Sequence, residues 1–270
     1  MERRYDSRPI GVFDSGVGGL TVFKAVARRF PDENLVYLGD TARVPYGSKS
    51  PRTVERYTLQ VGAFLQRRGV KGIVVACNTA SALGLDALRA RVPLPILGVI
   101  QPGCRMAVAT TRLGRVGVIG TRSTMASGAY PQTLSLLDPG IYTVCAPCPL
   151  FVPLVEEGWI VHPATRLIVA ESLASLHTEN IDTLILGCTH YPLLRQIIQE
   201  VMGPNVHLID SAAAVARELE KNLSSDMLPA PPGQTRILDF WVTDVADRFQ
   251  DVARLFLEEL PVASVNTVDL

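Results

Sequence analysis

Two cysteines, Cys77 and Cys188, stand in matching surroundings in this chain. Each closes a short apolar run and is followed by small polar residues, as Val75-Ala-Cys77-Asn-Thr79 in one case and Leu186-Gly-Cys188-Thr-His190 in the other. A thiol that ends a strand and opens a helix sits among free N–H groups at the positive end of the helix dipole. Those groups pull its pKa below the usual ~8.5. Two such thiols facing each other would place a base on one face of a carbon atom and an acid on the other, which is what inverting a stereocentre requires. Either cysteine alone reads as a small buried hydrophobe. The repetition is what favours chemistry.

A second feature is Asp14-Ser15-Gly16-Val17-Gly18-Gly19. It reads as a tight turn, or as a dinucleotide fingerprint. The fingerprint needs glycine at its first, third and sixth places; Gly16 and Gly18 fit, but the sixth is Thr21. Asp40 imitates the ribose-binding acid, yet Asp14 would stand against a pyrophosphate. A carboxylate at position 14 is better used beside an ammonium group or a thiol, and the sequence leaves both uses open. His190 lies two residues after Cys188 and reads as an orienting group, a proton relay or a surface histidine. Glu156-Glu157 reads as a solvated pair or as an acid that reaches a thiol. Cys145-Ala-Pro-Cys148 has no second CxxC to complete a zinc site and reads as structural. The four histidines are scattered without metal-ligand spacing, so no metal site is expected. The lysines, Lys24, Lys49, Lys71 and Lys221, fall outside these motifs, which disfavours a pyridoxal phosphate Schiff base.

The elements that must position these residues follow from the apolar runs. Ile10 to Phe13, Leu35 to Leu38, Ile73 to Ala76 and Pro95 to Ile100 read as buried strands. Leu20 to Arg29, Pro51 to Arg68 and Ser81 to Arg91 read as helices between them. The second half repeats the plan, with strands at Val116 to Ile119, Thr183 to Gly187 and Val206 to Ile209. A helix runs from Asp210 to Asn222, an exposed loop from Ser224 to Gln234, a strand from Arg236 to Thr243 and a helix from Asp247 to Leu260. Continuous apolar strands alternating with helices indicate parallel sheets buried on both faces. Ligands of such sheets sit beyond the carboxyl ends of the strands, where Asp14, Asp40 and Cys77 fall.

Composition sets the bounds. The chain has 270 residues, 47% hydrophobic and 19% charged, with a formal net charge of zero. That supports a well-formed core and offers no basic surplus for nucleic acid or an anionic membrane. Met1 to Pro9 has no apolar run and no long apolar stretch follows, so neither a secretory signal nor a membrane span is expected. Five cysteines, an odd number, fit reduced thiols in a cytoplasmic protein.

Six segments together resemble the glutamate racemase branch of the aspartate/glutamate racemase family. They are Phe13-Asp-Ser-Gly-Val-Gly-Gly19, Gly39-Asp-Thr-Ala-Arg-Val-Pro-Tyr-Gly47, Ala76-Cys-Asn-Thr-Ala-Ser81, Cys148-Pro-Leu-Phe-Val-Pro-Leu-Val-Glu156, Gly187-Cys-Thr-His-Tyr-Pro-Leu193 and Ile209-Asp-Ser211. They occur in order over most of the chain. The resemblance implies an α/β fold of two pseudo-symmetric parallel-sheet domains, 1–98 plus 208–270 and 99–207, with the active site in the cleft between them. It implies a small-molecule substrate, glutamate, no cofactor, and frequent homodimers. By position, Cys77 and Cys188 resemble the two proton donors and acceptors, Cys77 meeting the D-enantiomer and Cys188 the L-enantiomer. Asp14 resembles the acid beside the first thiol, and His190 and Glu156 the helpers of the second. Asp14, Ser15, Pro45, Tyr46, Gly47, Asn78, Thr79, Thr121, Thr124, Thr189 and His190 resemble the substrate clamp. One departure is visible: family members often carry Thr-Gly-Asp near the last strand, where this chain joins Thr243 directly to Asp244. Aspartate racemase is the nearest alternative. A thiol hydrolase or redox enzyme using Cys188 and His190 alone, and a binding protein without chemistry, are others.

Overall fold

The computed structural model describes residues 5–257, 260 and 264–270. The first part of the chain alternates strands and helices. These are β1 (Ile10–Asp14), α1 (Leu20–Arg29), β2 (Leu35–Gly39), α2 (Pro51–Arg67), β3 (Gly72–Val75), α3 (Asn78–Leu83), α4 (Leu85–Arg91), β4 (Ile96–Gly98) and α5 (Ile100–Thr110). Local chemistry explains the boundaries. Helix α1 ends in Arg28 and Arg29, cations at the negative end of its dipole. The Ser50 side chain caps α2 by accepting from the Thr53 amide, and Pro51 opens the helix where an N–H is not needed.

The middle part repeats the alternation: β5 (Arg115–Gly120), α6 (Arg122–Ala126), α7 (Ala129–Leu137), β6 (Tyr142–Pro147), α8 (Phe151–Glu156), α9 (Pro163–His177), β7 (Thr183–Gly187), α10 (Arg195–Met202), β8 (His207–Asp210) and α11 (Ser211–Ser225). The chain then returns to the first sheet with β9 (Leu238–Val242), α12 (Ala246–Leu257) and β10 (Val265–Thr267).

Two parallel sheets result. The six-stranded sheet has the order β10-β9-β2-β1-β3-β4 and the four-stranded sheet the order β6-β5-β7-β8. The run β2-β1-β3-β4 of one matches β6-β5-β7-β8 of the other. Under that match, the strand before Cys77 corresponds to the strand before Cys188, and the Asp14-Ser15 turn corresponds to Gly120-Thr121. The strands β1, β2, β3 and β7 are buried along their whole length, as sheets covered on both faces require.

One apolar cluster runs from Ile10, Val12 and Phe23 of the first unit through Cys104 and Ala107 to Val118, Ile185 and Leu186 of the second, so the two sheets share a core. A separate cluster packs α2 and α4 against the outer face of the first sheet. Aromatic rings join β9 to the rest: Phe23 lies 5.0 Å from Phe240 and 5.7 Å from Tyr37, centroid to centroid. At the opposite end from the strand carboxyl termini, a buried Lys71–Glu33 ion pair at 2.6 Å ties down neighbouring chain. Lys71 Nζ also donates to the carbonyls of Asp6 and Leu228, both at 2.9 Å.

The structure adjusts several expectations. The strand expected over Pro95 to Ile100 is shorter, because Val99 caps α5 and Ile100 already belongs to it. The helix expected over Ser81 to Arg91 begins at Asn78 and is broken at Gly84, which lies against Thr58 with no room for a side chain. Helix α11 runs to Ser225, so the exposed loop starts later than expected. The last helix is α12; Glu258 and Glu259 of the stretch expected to be helical lie outside the described residues, as do Met1–Arg4 of the N-terminal stretch. Strand β8 belongs to the second sheet, so the chain leaves that sheet after Asp210. Among the described residues, no helix is long and apolar enough to cross a membrane.

Candidate active site

The carboxyl ends of both sheets face each other, and the residues singled out in the sequence meet there. Asp14 ends β1, and its Oδ2 accepts from the Gly16 amide at 3.0 Å. Cys77 caps α3; its sulfur accepts from the Ala80 amide at 3.5 Å and donates to Ser15 Oγ at 3.7 Å. Asp14, Cys77 and Cys188 are 1%, 5% and 7% exposed. The expectation that the helix terminus would acidify Cys77 is not met. Burial, and then the charge of Asp14, push its thiol up to about 12, outweighing the Ala80 and Ser15 hydrogen bonds. Burial likewise raises the Asp14 carboxyl, opposed by the charge of His190. Cys77 is therefore held as a neutral thiol. Cys188 also acts on it electrostatically, so the two sulfurs feel each other across the cleft.

Cys188 differs from Cys77. It opens onto a 3-10 turn, Tyr191–Leu194, rather than directly onto an α-helix. Its partner is a side chain instead: His190 Nδ1 lies 3.9 Å from Cys188 Sγ, and Nε2 lies 3.0 Å from Glu156 Oε1. Burial works against a charged imidazole, but the bonds to Cys188 and Glu156 prevail and raise His190 to about 10. Near neutrality it is a cation that offers any negative charge on Cys188 a partner. Glu156 is thus the acid that reaches the thiol, through the imidazole. The edge of Phe256, from the returning α12, closes over the ring at 5.7 Å.

Hydroxyls line the seam between the units. Thr79 Oγ1 of the first unit lies 3.1 Å from Thr121 Oγ1 and 2.9 Å from Thr124 Oγ1 of the second. Thr121 also caps α6, accepting from the Thr124 amide. Thr189 Oγ1 lies 3.4 Å from His190 Nδ1. The Val44-Pro45 bond is cis, and Pro45 precedes a 3-10 turn over Tyr46–Ser48. The Tyr46 hydroxyl donates to the fully buried Asp40, which also accepts from Arg43 and Thr243. The Tyr46 hydroxyl is therefore engaged by Asp40. Asp40 braces the loop around Pro45 and Gly47, and the carbonyls of Gly47 and Lys49 accept from Ser123 across the seam. Thr41 and Asp244 are tied by two reciprocal hydrogen bonds beside the direct Thr243-Asp244 junction.

Glycine at the first turn serves close approach. None of Gly16, Gly18 and Gly19 has a positive φ. A methyl group on Gly18 would overlap Thr189 Oγ1 and His190 Nδ1 of the other unit. The space a pyrophosphate would take is filled by protein, so the dinucleotide reading fails here. Cys145 lies in β6 and Cys148 is fully buried; neither is in a disulfide. Among the described residues, no group of three or more His, Cys, Asp or Glu is placed to hold a metal ion.

Two buried polar atoms at the site have no hydrogen-bond partner: Asp14 Oδ1, an acceptor, and Asn78 Nδ2, a donor. Unpaired buried polar atoms are costly and mark a place where a ligand supplies the partner. An acceptor and a donor beside two thiols suit an amino acid, whose ammonium and carboxylate are their complements. Sequence reading missed Tyr130, whose hydroxyl donates to Asn78 Oδ1 at 2.7 Å, and Thr21, which donates to the carbonyls of Gly18 and Thr189. Tyr130 adjoins neither a cysteine nor the glycine-rich turn, and Thr21 stands at the sixth place of that turn's incomplete fingerprint, so no local pattern marked either as part of the site.

Comparison with known proteins agrees with this chemistry. A family model described as Asp/Glu/Hydantoin racemase matches residues 10–219. The chain is 48% identical over 250 residues to the glutamate racemase of Geobacter metallireducens, covering 93% of each. Among solved structures, a glutamate racemase isoform from Bacillus anthracis matches with a TM-score of 0.93 and 39% identity, over 97% of this chain and 98% of that one. A glutamate racemase from Francisella tularensis, solved in complex with D-glutamate, matches with a TM-score of 0.91 and 36% identity over the same shares.

Proposed function

The chain belongs to the Asp/Glu/hydantoin racemase family, and from that premise we propose that it is a glutamate racemase, an isomerase working with two thiols and no cofactor. The observation that carries this reading is the matched pair of buried sulfurs, one after β3 beside β1 and the other after β7 beside β5, at corresponding places in the two sheets. One cysteine enters as thiolate and takes the α-proton, forming its S–H bond as the C–H bond breaks. The other enters as thiol and delivers its proton to the opposite face, leaving a thiolate. The protonation states of the two sulfurs exchange with each turnover. The raised Cys77 thiol suits the proton donor, and the His190 cation beside Cys188 Sγ offers a partner for the charge that develops there, which fits L-glutamate being received on the Cys188 side.

Carbanion charge is the main obstacle, since an α-proton is far less acidic than a thiol. Preorganised donors around the α-carboxylate carry that charge: the Asn78 amide, the backbone N–H groups of Ser15, Thr79 and Thr189, and the hydroxyls of Thr79, Thr121 and Thr124. Asp14 holds the ammonium group, which keeps the α-carbon acidic. Pro45, Tyr46 and Gly47 close the clamp. The close packing of Gly18 on His190 excludes water and strengthens each of these interactions.

On this reading the protein supplies D-glutamate for peptidoglycan synthesis, and so for cell-wall biogenesis and cell shape, as a cytoplasmic homodimer that binds neither nucleic acid nor membrane. Its two units are 1–98 with 208–270 and 99–207, except that Leu208–Asp210 go with the second unit, since β8 completes its sheet. The test is enantiomer conversion followed from both directions with glutamate and with aspartate. Glutamate is expected to be turned over and aspartate not. Replacing either Cys77 or Cys188 by alanine should lower the rate at least about 10²–10⁴-fold. Full activity in Cys77→Ala would overturn the reading in favour of a single-thiol enzyme.

A further inference from the structure

Tyr130 touches both thiol-bearing turns. Its hydroxyl donates to Oδ1 of Asn78, the residue after Cys77, at 2.7 Å. Its ring packs on Gly187, the residue before Cys188, so closely that a Cβ there would lie 3.2 Å from Tyr130 Cε2. Tyr130 is fully buried at the start of α7, in the second unit, while Asn78 opens α3 in the first.

The hydrogen bond has a directional consequence. An asparagine amide presents an acceptor on one side and a donor on the other. With Oδ1 engaged by the tyrosine, Nδ2 is turned away from it, buried and without a partner. Asn78 itself is 3% exposed, so water does not freely satisfy that donor. Without that donated hydrogen bond, the amide loses the contact that holds its oxygen on the tyrosine side, away from an incoming carboxylate.

We infer that Tyr130 is a positioning residue for the reaction, fixing Asn78 with its amide nitrogen toward the substrate carboxylate and holding the turns of Cys77 and Cys188 in register. This rests on the racemase reading for the identity of the carboxylate as that of glutamate. The residue acts on binding more than on proton transfer, because it reaches no reacting atom.

The experiment combines Tyr130→Phe, Asn78→Ala and the double variant, with glutamate affinity measured by calorimetry and racemisation measured from both enantiomers. Tyr130→Phe should weaken binding and raise KM about tenfold in both directions with a smaller change in kcat. In the Asn78→Ala background the same substitution should have no further effect on affinity, since the amide it orients is gone. Asn78→Asp keeps an acceptor for Tyr130 but replaces the donor, and should lose at least tenfold in affinity even if Tyr130→Phe folds poorly. Unchanged affinity in Asn78→Asp, or equal losses from Tyr130→Phe with and without Asn78, would overturn the inference. Wild-type protein that binds glutamate but does not racemise it would instead overturn the racemase reading, while the coupling between Tyr130 and Asn78 would still be read from affinity.

Discussion

Gly18 of one unit lies directly against His190 of the other, with no space for a side chain between them. The imidazole that serves Cys188 is thus positioned in part by a backbone belonging to the turn that also carries Asp14 and Ser15. That contact couples the turn of Asp14 and Ser15 to the imidazole beside Cys188 across the cleft.

Gly18→Ala tests that contact. The added methyl would push Thr189 and His190 back, and overpacking of this kind costs about 1–3 kcal/mol. Displacement of the imidazole by even about 1 Å should lower kcat by about 10²-fold. Thermal unfolding and racemisation rate, measured together, check the two parts. An alanine variant with the rate of the parent would mean that the cleft opens enough for the contact not to matter.

Glu156→Gln tests the charge partner of His190. The Cys188 hydrogen bond and then the Glu156 bond hold the imidazole up against burial, at about 10. Removing the carboxylate charge should lower that value by about one unit or more. The high-pH limb of kcat/KM for L-glutamate should therefore move to lower pH in the variant. A limb that stays in place would show that the imidazole is not the group titrating there.

Stability should decline on the alkaline side. His190 ionises near 6.5 when unfolded and at about 10 when folded, so the folded protein holds an extra proton between these values. Its contribution is fully present below ~6.5 and is lost as pH rises to about 10. The buried thiols act in the same sense. Cys145 is raised to about 11, and Cys77 and Cys148 to about 12, all from the ordinary thiol range. Each group contributes a slope of about 1.4 kcal/mol per pH unit within its own window. Denaturant unfolding from pH 6 to 10 should show a steady loss that steepens above ~8.5, where unfolded thiols begin to ionise. His190→Asn should flatten the earlier part of that decline.

Strand ends were legible in the sequence because parallel strands buried on both faces are written as unbroken apolar runs. Ile10 to Phe13, Ile73 to Ala76 and Thr183 to Gly187 were identified that way, and with them the positions of Asp14, Cys77 and Cys188. Strand β6 escaped because it lies at the edge of its sheet and carries Tyr142 and Thr143 partly in solvent. Helix α9 escaped because Leu167 sits on its exposed face while Thr165 is buried, which blurs the helical period. The acidity of Cys77 was misjudged for a related reason. A strand-to-helix turn is visible in sequence, but complete burial beside Asp14 depends on the opposite unit closing over it.

Solvent isotope incorporation tests the exchange of protons between two sulfurs most directly. In deuterated water, L-glutamate should yield D-glutamate that carries deuterium at the α-carbon from the first turnover, delivered by Cys77. The unreacted L-glutamate should remain largely protonated early in the reaction. D-Glutamate formed with its original α-proton would contradict the account, since a single group would then have carried the proton from one face to the other.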